Sequence, residues 1–156
     1  GHDERNSVQL ARAFGAVVAR RPEAFHWMPV DDAEARAAAQ RYAATLARLA
    51  GSPPCIDVLQ LGLGADGHTA SLFPGLPLDA VTPTVGLTAA PSGWPRMTLT
   101  LPTLNAARSI VWLVTGGDKH APLHRLLAAD PAIVGSSVRR SGARVLADRD
   151  AAEPSA

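Results

Sequence analysis

Apolar and polar positions alternate between two periods along this chain, and the alternation predicts strands interleaved with helices. Ser7 is placed to cap a helix running to about Arg20, and Phe25 to Val30 reads as a short extended stretch. An alanine-rich helix is expected from Asp32 to about Leu49, stopped by Gly51-Ser52-Pro53-Pro54. Ile56-Asp57-Val58-Leu59-Gln60-Leu61 then forms a short apolar run, the pattern of a strand buried in a parallel sheet. A proline-rich, irregular segment from Leu76 to Pro95 follows, with one strand expected near Val81 to Leu87. Beyond it, Arg96 to Leu101 reads as a strand, Leu104 to Ala107 as a short helix and Ile110 to Thr115 as another strand. Gly116-Gly117 turns the chain into a helix from about Lys119 to Ala128, and Arg144 to Ala147 supplies a last strand. This order predicts a layered α/β/α fold with a mostly parallel sheet. One domain over residues 1–150 is expected, with a disordered polar tail at 151–156.

At 156 residues and 47% hydrophobic content, the chain is long enough to bury one core. Its formal net charge of +1 gives no electrostatic case for nucleic acid or an anionic membrane. The Arg20-Arg21 and Arg139-Arg140 pairs read as solvated surface. No apolar run approaches the roughly twenty residues of a membrane span, and a cytoplasmic location is expected. The single cysteine, Cys55, precludes an intrachain disulfide and reads as a packing residue. His120 and His124 share a helical face at i,i+4, but zinc usually needs a third protein ligand and none is evident. No metal or organic cofactor is expected.

The chemistry concentrates in Leu61-Gly62-Leu63-Gly64-Ala65-Asp66-Gly67-His68-Thr69-Ala70-Ser71-Leu72-Phe73-Pro74-Gly75. It follows a predicted buried strand, so its turn sits at the strand's carboxyl end, where ligands bind in open α/β sheets. Histidine titrates near neutral pH, and a neighbouring carboxylate can orient it to accept a proton. Gly62, Gly64 and Gly67 also satisfy G-x-G-x-x-G, but Pro74 and Gly75 leave too short a helix for a dinucleotide turn. Read from its residues alone, Asp66 either orients the His68 ring or caps the turn.

The run from Gly62 to Gly75 closely resembles the signature of the 6-phosphogluconolactonases, whose relatives, the glucosamine-6-phosphate deaminases, share the Gly-x-Gly-x-Asp-Gly-His core. Thr69-Ala70-Ser71-Leu72-Phe73-Pro74-Gly75 is the lactonase form. Pro95 to Ala107 is similar to the family's Arg-x-Thr-Leu-Thr-Leu-Pro-x-Leu-Asn segment, and Val114 to Lys119 resembles its Gly-x-x-Lys turn. The resemblance implies the same α/β/α fold and hydrolysis of a phosphorylated sugar lactone, with no metal. It implies His68 as general base, Asp66 as its orienting group, and Arg96 and Lys119 as cations for phosphate and sugar. Backbone N–H groups around Gly64 to Gly67 are the candidate donors to substrate. Deaminase or isomerase chemistry, and a non-catalytic sugar-phosphate-binding remnant, stand as the alternatives.

Family members carry an upstream half with a Gly-Gly-Ser/Thr phosphate loop, and no such tripeptide occurs here. Asp3-Glu4-Arg5 can be mistaken for their Asp-Glu-Arg segment, but Arg5 to Ala11 also resembles the Ser/Arg-Asn stretch slightly further on, and both alignments stand. The expectation is a chain equivalent to the carboxyl two-thirds of the family, its amino-terminal part missing, with self-association through the uncovered region.

Overall fold

The computed structural model describes residues 6–76, 84–91 and 93–153. The apolar run after Pro54 becomes strand β1, Val58–Leu61, and the two later runs become β4, Ser109–Val114, and β5, Ala143–Ala147. These three strands pair in parallel in the order β1-β4-β5, with Leu61 opposite Trp112 and Trp112 opposite Val145. A mostly parallel α/β sheet is therefore what the sequence pattern produces.

Alternation along the strands sorts side chains between two faces. Leu59, Leu61, Ile110, Trp112 and Val114 point into the principal core. There they meet Leu104 of helix α4, Leu101–Asn105, Leu123 and Leu126 of α5, His120–Leu127, and the loop residues Leu63, Leu72 and Ile133. Each fully buried aliphatic side chain contributes roughly 1.5–3 kcal/mol. The opposite face is open among the described residues: Val58, Leu113 and Leu146 are 64%, 50% and 56% exposed.

The amino-terminal half packs elsewhere. Helix α3, Ala35–Ala50, buries Ala38 and Ala39 against Val85 and Met97 of an antiparallel hairpin made by β2, Val85–Ala89, and β3, Pro95–Leu99. This hairpin is a separate two-stranded sheet. Leu99 packs against both cores and ties it to the parallel sheet.

Several boundaries differ from expectation. The predicted first helix is two, α1, Asn6–Ala13, and α2, Gly15–Arg20, interrupted at Phe14 beside the weak helix former Gly15. Ser7 consequently lies inside the first turn rather than capping it. Phe25 to Val30 pairs with no described strand, and α3 begins three residues after Asp32, whose Oδ1 accepts the Glu34 N–H at 2.8 Å. Residues 81–83 of the strand expected over Val81 to Leu87 lie outside the described residues. Ala151, expected at the head of a disordered tail, is fully buried in a further short helix, α6, Arg149–Ala152. Residues 154–156 lie outside the described ones.

Arg139 also departs from its reading as solvated surface. Its backbone N–H donates to Asn105 Oδ1 at 2.6 Å, its Nε to Asn105 O at 3.1 Å, and its guanidinium to the carbonyls of Ala107 and Ser141. A planar fork with several donors suits this gathering of carbonyls where α4 ends. Arg140 donates to Leu127 O at 2.9 Å, satisfying a carbonyl left over at the end of α5.

Candidate active site

Because β1, β4 and β5 run parallel, the segments following them emerge on one rim. Those segments are the glycine-rich turn at 62–68, the Thr115–Lys119 turn and Asp148. The first two carry the predicted catalytic pair and Lys119, and the third was not foreseen.

The glycine-rich turn closes on itself through Gly64 N–H to His68 O at 2.8 Å and Gly67 N–H to Gly64 O at 2.9 Å. It is anchored by Thr69, whose buried hydroxyl donates to Gly62 O at 2.9 Å, and by Gly135 N–H donating to Gly67 O at 2.9 Å. Within it, His68 Nδ1 stands 2.5 Å from Asp66 Oδ1, and the same oxygen accepts the His68 backbone N–H at 3.1 Å. The Phe73 ring lies 4.7 Å from the imidazole, centre to centre, and backs it.

Asp66 thus does both things the sequence left open: it closes the turn and holds the ring. Burial pushes its carboxyl up, but the hydrogen bonds from the His68 backbone and ring, and attraction to the imidazole, outweigh that and leave it below the ordinary carboxylate value. An ionised carboxylate only accepts, so Nδ1 is the donor, and in a neutral imidazole held this way Nε2 carries the lone pair. Both side chains are partly exposed, His68 by 31% and Asp66 by 44%, so the pair is open to a ligand.

Gly64 and Gly67 serve this geometry differently from expectation. Their N–H groups are engaged by the turn itself, so these two are not offered as donors to a substrate. Gly64 matters for the absence of a side chain: a Cβ there would fall 2.1 Å from His68 Nδ1 and 2.7 Å from Asp66 Oδ1. Gly67 has φ +81° and sits against Ile133, whose Cβ would be 2.5 Å from an added methyl.

Lys119 stands on the neighbouring turn, its Nζ 2.6 Å from Asp118 Oδ2 and its side chain mostly buried. Arg96 is on the hairpin. Thr88, its partner across the strands, donates to Ser71 O at 2.9 Å, while Ser71 N–H donates to the buried Thr98 hydroxyl at 3.1 Å. These two bonds clasp the hairpin to the end of the histidine-bearing loop. Arg96 and Ser71 share a cleft of about 580 Å³ with Trp27, Tyr42 and Trp94, and His68 and Lys119 do not line it. A wider depression of about 900 Å³ between α1 and residues 27–32 contains none of the predicted site residues.

Residues 1–145 match the protein family described as glucosamine-6-phosphate isomerases/6-phosphogluconolactonase. The chain belongs to this family. It is 44% identical over 117 residues to the 6-phosphogluconolactonase of Synechocystis sp., a match covering 70% of this chain and 49% of that protein. It is 37% identical over 163 residues to the 6-phosphogluconolactonase of Mycobacterium tuberculosis, covering 96% and 66%. Its fold superposes on the crystal structure of 6-phosphogluconolactonase from Leishmania guyanensis with a TM-score of 0.65 at 29% identity, over 75% of this chain and 52% of that one. The chain spans about half to two thirds of the length of these relatives.

Within this family fold, two contributors escaped the sequence reading. Thr98 was part of the family segment, but only the structure shows its hydroxyl holding Ser71. Asp148 had a usable signal, an aspartate directly before the helix-forming run Arg149–Ala152, which is how a helix cap reads. Its carboxylate accepts the Ala151 N–H at 2.9 Å. Among the described residues, no group of three or more His, Cys, Asp or Glu is arranged to hold a metal ion. His120 Nδ1 instead meets Ala151 O at 3.2 Å. No helix of the described residues is long and apolar enough to cross a membrane.

Proposed function

We propose that this protein hydrolyses 6-phosphoglucono-δ-lactone to 6-phosphogluconate, with His68 as general base. The observation that carries this reading is the His68–Asp66 pair, held at 2.5 Å on the same sheet rim as the Lys119 turn. The names of the relatives agree with it.

In this mechanism His68 Nε2 takes a proton from water as the water oxygen bonds to the lactone carbonyl carbon. Asp66 holds the ring by Nδ1 and stabilises the imidazolium that forms. Collapse of the tetrahedral intermediate breaks the bond to the ring oxygen, and Nε2 returns the proton to that oxygen, which leaves as a hydroxyl. Base and charge stabilisation suffice for an activated ester, so no cofactor enters. Lys119 meets an anionic oxygen of the substrate as a point charge, and Arg96 offers phosphate a planar fork. The hairpin clasp at Ser71 is the route by which Arg96 is registered against the histidine-bearing loop. A cytoplasmic location and a phosphorylated sugar lactone as the small-molecule partner belong to the same reading.

Product analysis tests it. Lactone hydrolysis above the spontaneous rate, without ammonia release from glucosamine 6-phosphate, is the expected result. Ammonia release without lactone hydrolysis would assign the deaminase chemistry of the family instead, and binding of 6-phosphogluconate without turnover of either substrate would mark a binding module.

A further inference from the structure

Asp148 follows the last residue of β5 and fastens two elements together. Besides capping α6 through the Ala151 N–H, its carboxylate accepts the Gly116 N–H with both oxygens, at 3.1 and 3.0 Å. Its own N–H donates to Val114 O, at the end of β4, at 3.2 Å. A second contact lies beyond Lys119, where the His120 ring meets the carbonyl of the buried Ala151. The β5–α6 junction therefore grips the lysine-bearing segment on both sides, at Gly116 and at His120. Between them, the Gly116 carbonyl accepts the Lys119 N–H at 3.0 Å.

We infer that Asp148 is a positioning residue for Lys119, acting through Gly116. The inference deepens the proposed function, on which its substrate-binding consequence rests. Gly116 is held by its N–H to Asp148 and by its carbonyl to Lys119, so a shift of the carboxylate is passed along one residue to the lysine backbone. The Gly116 N–H is also committed to Asp148. An anionic oxygen arriving at this turn is met by the ammonium group rather than by that amide.

The sequence contains one lysine, so reductive methylation with ¹³C-formaldehyde labels the Lys119 side chain and, separately, the terminal amine. Asp148→Ser is the decisive variant, because serine still caps a helix but is too short to reach both Ala151 and Gly116. Without any ligand, its Lys119 methyl resonance is expected to move toward the position of a free lysine, and Asp148→Asn, which keeps a long acceptor, to stay near the wild type. Calorimetry with 6-phosphogluconate on unmodified protein is expected to show a Kd raised about tenfold in Asp148→Ser, the scale of one loosened charge-assisted contact, and largely restored in Asp148→Asn. A methyl resonance unchanged between wild type and Asp148→Ser overturns the positioning role. Wild-type protein that ignores 6-phosphogluconate overturns the functional reading instead, and the ligand-free resonances still decide the role of Asp148.

Discussion

Gly64 and His68 are packed so closely that a single methyl on the glycine would lie 2.1 Å from His68 Nδ1. The atoms in the way belong to the His68 and Asp66 side chains, so these can swing aside and the backbone need not move. Gly64→Ala is therefore expected to keep its fold, giving up no more stability than the His68–Asp66 contact supplies, and to lose about 100-fold in lactone turnover, the cost of misplacing the proposed base by about an ångström. Gly62 provides the control, since an added methyl there meets nothing within 4 Å. Parallel denaturation and rate measurements on both variants check this, and equal rates would show that the ring is not fixed by Gly64.

Gly67→Ala should behave in the opposite way. Its positive φ and the contact with Ile133 involve backbone and a packed core residue, so the expected loss is stability, on the order of 1–3 kcal/mol. A chemical denaturation midpoint equal to that of the unsubstituted protein would contradict the turn geometry.

The histidine-bearing loop was legible in the sequence because its geometry is local. His68 and Asp66 are two residues apart, and strand, turn and histidine fall within one continuous run. The parallel strands were legible for the same reason, each being an apolar run bounded by glycine or proline. What was not legible depends on chain segments brought together from far apart. Asp148 reaches Gly116 across 32 positions, Ser71 reaches Thr98 across 27, and Arg139 reaches Asn105 across 34. The role of the glycines also escaped, because whether an N–H faces a ligand or closes its own turn is decided by backbone direction, which residue type does not encode.

Asp66 gives a prediction for pH. Its carboxyl lies lower in the folded protein than in the unfolded chain, so the pair favours folding above the ordinary aspartate value of about 4, and that contribution disappears as pH falls through the folded value. Asp66→Asn should flatten the acid-side slope of stability against pH. Denaturation midpoints over an acid series measure this. An undiminished acid slope in the variant would mean that other carboxylates set it.

Arg96→Ala and Lys119→Ala should each weaken handling of the phosphorylated lactone far more than that of an unphosphorylated δ-lactone. One charge-assisted contact is worth about 1.5–3 kcal/mol, or roughly 10- to 150-fold in kcat/KM. Equal losses on both substrates would remove phosphate recognition from these side chains.

The open face of the parallel sheet carries Val58, Leu113 and Leu146, an apolar surface of the kind that parallel sheets ordinarily cover. Residues 1–156 as a separate polypeptide are expected to self-associate through it, and Leu113→Lys to shift sedimentation toward the monomer. Identical sedimentation of the two proteins would place association elsewhere.

If His68 is the base that activates water, lactone hydrolysis by the wild type and by His68→Asn across neutral pH shows it directly. Asparagine approximates the size of the ring while removing its proton-accepting nitrogen. Hydrolysis is expected to fall by at least about 100-fold in His68→Asn, with 6-phosphogluconate binding retained. A His68→Asn protein that opens the lactone at near-wild-type kcat would contradict this role of His68.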